Sequence, residues 1–193
     1  GIYEDAAAAG LIRPLMDAPE PEIRLAAINA IGGCGHSIED LTALNNHLHV
    51  DREPDATLRQ HAWESYLAVS QRLPVETRVR ISDQFDRPDD KTAQRRRIEL
   101  LRALRSDAAR FEELSRDDCI NVFERIADAQ LELGEYTAAS ASLELAMGLA
   151  LRPRVLILDE PTQGLAASEI TGFKALVRSL VPETTVLLIE HNM

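Results

Sequence analysis

Apolar residues recur at helical spacing, one face at a time, through the first 150 residues, and the pattern then stops. Ile23, Ala27 and Ile31 lie at i, i+4, i+8, with Gly32 and Gly33 following as a stop. Ser37 and Asp40 form a Ser-x-x-Asp capping pair before Ile38, Leu41, Leu44 and Leu48. Leu58, Ala62, Tyr66, Val69 and Leu73 make the next stripe, closed by Pro74. Ile98, Leu101 and Leu104 mark another helix, and Val122, Ile126, Ala129 and Leu133 one more, ending at Gly134. A helix with one apolar face is unstable alone, so these helices must bury one another. Glycine and proline total only 18 residues and aromatics only 8, which turns the chain further away from an all-β fold.

Two of these helices are related. The run from Pro19 to Ala27 and the run from Pro54 to Ala62 share the order proline, acid, two residues, aliphatic, arginine, two residues, alanine, at an offset of 35 residues. Proline and the acid start a helix, the aliphatic and alanine pack inwards, and Arg24 and Arg59 are expected to neutralise nearby acids. The passage resembles HEAT repeats over about residues 4–73, which implies stacked helix pairs. Phe123, Ile126, Ala127, Gly134, Tyr136, Ala139, Leu143 and Ala146 then resemble one tetratricopeptide (TPR) unit. Small residues there let two antiparallel helices approach closely. Gln130 stands where that pattern has an aromatic, and Pro153 falls late for its terminal proline.

Beyond residue 153 the composition changes. Val155–Leu158 and Thr184–Ile189 are short continuous apolar runs. Between them Ser168 caps a helix with Ile170, Phe173, Val177 and Leu180 on one face. Strand, helix, strand at this length predicts a right-handed parallel βαβ unit, apolar on both sheet faces and needing cover on both. The helix over residues 168–180 is expected to cover one face, and the helix over 136–151, or a partner, the other. Asp159 and Glu160 end the first strand, and Glu190 and His191 the second, where α/β sheets place their chemistry.

Residues 145–193 resemble the ATP-binding cassette (ABC) ATPases, most of all the cassettes of amino-acid importers. The resemblance rests on Asp159-Glu160-Pro161-Thr162 after four apolar residues, Gln163-Gly164-Leu165, and Ile189-Glu190-His191, in that order. Leu143–Met147 also resembles the helix after that family's signature loop, so this helix belongs to the TPR-like and the cassette patterns at once. The resemblance implies that Asp159 is the Walker B carboxylate holding Mg²⁺ and that Glu160 is the general base on the attacking water. It implies that His191 is the switch histidine at the γ-phosphate, and that residues 163–167, with Gln163 and Gly164 on the nucleotide side, form a loop at a dimer interface. Ala166 replaces the frequent acid of that loop.

Two family features are missing. A P-loop needs Gly-x-x-x-x-Gly-Lys-Ser/Thr, yet the chain's two lysines, Lys91 and Lys174, follow no such pattern. The Leu-Ser-Gly-Gly-Gln signature is absent where Glu135–Ala139 stands. Asp159, Glu160 and Glu190 therefore place negative charge where a triphosphate would sit, and Coulomb repulsion opposes ATP binding by the chain alone. Residues 1–153 carry a net charge of −9 and residues 154–193 a net −2, so the acidity belongs mainly to the helical part. A net charge of −11 disfavours nucleic acid as a partner. Arg95, Arg96 and Arg97, set among acids, read as a solvated, salt-bridged helix face. Cys34, His36, His47 and His49 lack zinc-ligand spacing and read as solvated loop and helix residues. Trp63 and Tyr66 read as core. Two cysteines cannot build a disulfide framework, which points to a reducing, cytoplasmic setting. With no apolar run of membrane-spanning length, direct membrane insertion is not expected. A start at Gly1 and an end at Met193, just past the cassette-like motif, suggest an excerpt of something longer.

The expected architecture is mainly α, an α-α helical-repeat solenoid of HEAT- and TPR-like type with a small C-terminal βαβ element. Its expected parts are residues 1–117 (HEAT-like), 118–153 (TPR-like pair and junction) and 154–193 (cassette segment). The expected function is a protein-interaction scaffold with an incomplete ATPase tail and no cofactor of its own. The alternative is a fragment of an amino-acid-type ABC transporter ATPase that uses ATP and Mg²⁺ once a P-loop and signature come from elsewhere, with a membrane transporter as partner.

Overall fold

The computed structural model describes residues 6–106, 114–151, 153–161, 170, 173–174, 177–178, 181 and 184–190. It is mainly helical with one small C-terminal parallel sheet, as the sequence predicts. The chain divides into two compact units, Gly1–Pro74 and Val75–Met193.

In the first unit, α1 (Ala6–Ile12) runs into a 3₁₀ turn, Arg13–Asp17, and is followed by α2 (Pro21–Cys34), α3 (Ile38–Asn46) and α4 (Ala56–Ser70). Pro21 at the first turn of α2 supplies a preset φ where no N–H is needed. α3 starts in a full capping box, in which the Ser37 hydroxyl accepts from the Asp40 N–H and the Asp40 carboxylate accepts from the Ser37 N–H. Asp55 caps α4 by accepting from the N–H groups of Thr57 and Leu58. The core holds Ala27, Ile28, Ile31, Leu41, Leu44, Leu58, Ala62, Tyr66 and Val69. Trp63 and Tyr66 stack within it at a centroid distance of 5.6 Å. Of the expected α2 stripe, Ala27 and Ile31 are buried while Ile23 is 42% exposed, and Ile28 joins them in the core. α2 and α4 meet where Gly32 lies against Ser65. A Cβ on Gly32 would fall 2.5 Å from the Ser65 Oγ.

The second unit contains α5 (Val75–Ile81), a 3₁₀ turn at Ser82–Phe85, α6 (Lys91–Ser106), α7 (Arg116–Glu132), α8 (Tyr136–Ala150), β1 (Val155–Asp159) and β2 (Thr185–Ile189). α7 stops at Gly134, whose φ of 77° is open to glycine at little cost and lets α8 fold back along α7. Ala139 and Ala146 allow the close approach of α7 and α8. Gln130, buried where an aromatic was the pattern, accepts a hydrogen bond from the Ser142 hydroxyl at 3.0 Å. Leu101, Leu104, Val122, Phe123, Ile126 and Leu149 form one core, against which Leu145, Leu156 and Val186 pack. Burial raises the Cys119 thiol at the edge of that core to about 11.

Arg97 is not on a solvated face. It is buried on α6 and pairs with Asp86 at 2.7 Å, while Arg95 is exposed.

Candidate functional site

β1 and β2 pair in parallel, with Val155 opposite Thr185 and Asp159 opposite Ile189. This register brings the ends of the two strands level, so Asp159, Glu160 and Glu190 gather at one end of the sheet. The Glu160 N–H extends the ladder by donating to the Ile189 carbonyl at 2.8 Å. Glu160 does so with φ at +46°, the left-handed region that a side chain with a Cβ enters only at a cost. Backbone strain of this kind concentrates at working sites and turns its residue out of the strand's alternation. Asp159 is exposed and Glu160 half-buried. Gln163, Gly164 and His191 lie outside the described residues.

The cover of the sheet departs from the expectation. Leu145, Gly148 and Leu149 of α8, together with Phe173 and Val177, all line one crevice with Leu156 and Leu158 of β1. Both helical segments therefore cover the same face. Of the opposite parity, Val155 is 57%, Ile157 59%, Leu187 51% and Ile189 41% exposed, and on β2 Leu188, which pairs with Leu158 on the covered side, is 45% exposed as well. The strand pattern could not choose a side, because parallel strands carry apolar residues on both. Gly148 sets the distance on the covered side, since a Cβ there would lie 3.3 Å from a Leu156 methyl.

The donor set fits part of a magnesium–nucleotide complex. Carboxylate oxygens are the hard ligands Mg²⁺ takes, usually one or two alongside water and phosphate oxygens. Among the described residues no group of three or more His, Cys, Asp or Glu side chains is disposed to hold a metal ion unaided. Among the described residues at the strand ends, the Glu160 N–H donates to the Ile189 carbonyl rather than facing a phosphate.

The other candidates separate in space. His47 is buried, a correction to the solvated reading, and its imidazole stands near Glu53 and Asp17. The His36 ring faces the Cys34 carbonyl at 3.2 Å.

Relatives share the tail's character. The chain is 51% identical over 53 residues to the high-affinity branched-chain amino acid transport ATP-binding protein BraF of Pseudomonas aeruginosa, covering 26% of this chain and 21% of that protein. It is 35% identical over 72 residues to the phosphate import ATP-binding protein PstB 2 of Mycobacterium tuberculosis, covering 37% of this chain and 25% of that protein. It is 41% identical over 49 residues to the phosphate import ATP-binding protein PstB of Mycobacterium intracellulare, covering 25% of this chain and 17% of that protein. Part of the chain is thus similar to ABC transporter ATP-binding proteins. The match spans no more than about a quarter of the length of these relatives. No protein-family model and no solved structure matches the chain. No helix among the described residues is long and apolar enough to cross a membrane.

Proposed function

We propose that residues 154–193 are the Walker B to switch-histidine portion of an ABC-type ATPase cassette, working only when a P-loop and signature from elsewhere complete it. The observation that carries this reading is the level end of the two strands, where Glu160 leaves β1 in a left-handed conformation beside Glu190. Asp159 would hold Mg²⁺ through water and Glu160 would polarise the attacking water. His191 would sense the γ-phosphate, with Gln163 and Gly164 at the nucleotide. Mg²⁺, when bound with ATP, supplies charge neutralisation between the β- and γ-phosphates. The transport names of the relatives favour an importer component as partner, of amino-acid type on the BraF match.

The helical residues serve this reading as a scaffold. HEAT-like residues 1–117 and the TPR-like pair 118–153 would present the cassette portion to a protein partner. Two features support repeats. Arg24 and Arg59 bond to equivalent carbonyls at the 35-residue offset. The hairpin of α7 and α8 is closed by small residues at Ala139 and Ala146. The ATPase reading draws more support from the relatives than the scaffold reading does. The setting that suits both is the cytoplasm.

Titration of Mg-ATP into the chain by calorimetry, with phosphate release followed in parallel, tests the incompleteness. The expected result is no sub-millimolar binding and no release above background. Release that disappears in Glu160→Gln would mean that the chain is a complete ATPase.

A further inference from the structure

β2 takes one edge of β1, through the Thr185 N–H to the Arg154 carbonyl at 2.9 Å and the Glu160 N–H to the Ile189 carbonyl at 2.8 Å. In a parallel ladder alternate residues turn their N–H and C=O to the same neighbour. These two bonds and the register give residues 154, 156, 158 and 160 to β2, and turn the backbone groups of Val155, Ile157 and Asp159 the other way. Among the described residues no strand lies on that side. An unpaired edge is a template for another strand unless lysine, proline or a bulge guards it. Val155–Asp159 contains neither lysine nor proline, and its register against β2 is unbroken.

The ends of β1 carry opposite charges. Arg154, exposed, stands just before the strand, and Asp159 and Glu160 close it. A strand of the same sequence running antiparallel sets cation against acid at both ends, whereas a parallel copy sets acids against acids. The far edge of β2 offers no such match, since Thr184 precedes that strand and Glu190 follows it. The bond pattern also fixes the register, because residues that exchange bonds across an antiparallel pair must both face the edge. Centring on Ile157 sets Ile157 against Ile157 and Val155 against Asp159, so all three outward residues find partners. Pro153 and Pro161 then stand opposite each other and, having no N–H to give, end the ladder. A centre at residue 156 sets Asp159 against Pro153, and a centre at residue 158 sets Val155 against Pro161, so either loses a bond.

We propose that the partner of this edge is a second copy of the chain, joined antiparallel through β1 about a two-fold axis at Ile157. The product is a four-stranded sheet in the order β2, β1, β1, β2, less marginal than two strands alone. The contact is isologous, so it closes on itself as a dimer. It needs no nucleotide and engages the strand-end acids through Arg154, which sets it apart from the ATPase reading.

Sedimentation equilibrium of the full chain, from low micromolar to sub-millimolar concentration, tests the pairing, with a reversible monomer–dimer equilibrium as the expected result. Ile157→Lys, a guard placed on the edge, should leave a monomer with its helical circular dichroism intact. Ile157→Cys, combined with Cys34→Ser so that only the buried Cys119 remains beside it, should cross-link to itself under mild oxidation. Directly opposed Cα atoms there lie about 5.5 Å apart, within disulfide reach. Val155→Cys in the same background should cross-link several-fold less, its two copies standing about 14 Å apart along the strands. A chain that stays monomeric throughout, a dimer that survives Ile157→Lys, or equal cross-linking at the two cysteine positions would overturn the proposal. Should Ile157→Lys not fold, the two cysteine variants decide.

Discussion

Arg24 and Arg59, 35 residues apart, make the same pair of backbone contacts. Arg24 donates to the carbonyls of Ala18 and Pro19, each at 3.0 Å, and Arg59 to those of Glu53 and Pro54, at 2.8 and 2.7 Å. Each guanidinium thus pins the chain just ahead of its own helix. Arg24 also forms a two-point pair with Glu53, and so ties the start of α2 to the loop before α4.

The two arginines should differ in their loss. Arg24→Met leaves the buried Glu53 carboxylate without its cation and should cost about 3 kcal/mol or more. Arg59→Met removes one surface hydrogen bond, to the Pro54 carbonyl, and one to the carbonyl of the buried Glu53, and should cost about 1–2 kcal/mol. Urea denaturation of both variants measures the difference.

Glu53 also gives the first unit a pH dependence. The Arg24 hydrogen bond holds its carboxyl below the usual carboxylate range. A depressed folded-state value stabilises above the unfolded carboxylate value, and that contribution is lost as pH falls through the folded one. Stability should decline from about pH 4.5 downwards. Glu53→Gln should flatten this part of the acid-denaturation curve.

Gly32→Ala should destabilise by about 1–3 kcal/mol through the clash with Ser65, where the backbone Cα is itself only 3.1 Å from the added Cβ. Ser65→Gly in the same chain should recover part of the loss, and thermal melts of the double-mutant cycle would read that coupling.

The two sides of β1 should respond oppositely to polarity. Ile157→Thr falls on the open face and should change stability by less than about 0.5 kcal/mol. Leu158→Thr falls on the covered face and should cost about 2 kcal/mol. Equal effects in chemical denaturation would contradict the one-sided cover.

Much of the helical architecture was legible because burial there follows a period of 3.6. The stripe from Leu58 to Val69, the Ser37–Asp40 box and the stop at Gly134 are all local features that short stretches of chain determine. What was not legible depends on partners distant in sequence. Arg97 looks like any surface arginine of a basic run until Asp86 and the α6 packing enclose it. His47 reads as solvated because nothing near it in sequence shows that the Arg13–Asp17 turn covers it. Of the candidate site, the acids at the strand ends followed from the apolar runs. The left-handed Glu160 did not, because that conformation ordinarily announces itself with glycine or asparagine.

On the proposed reading, the tail is one part of an ATPase whose P-loop and signature lie outside these 193 residues. Phosphate release by the full chain, mixed with the N-terminal portion of an importer cassette that carries the P-loop and signature, tests it most directly. Hydrolysis is expected in the mixture, not in either component alone, and is lost when Glu160→Gln replaces the wild type. Hydrolysis by this chain alone, or a mixture no more active than its components, would contradict the account.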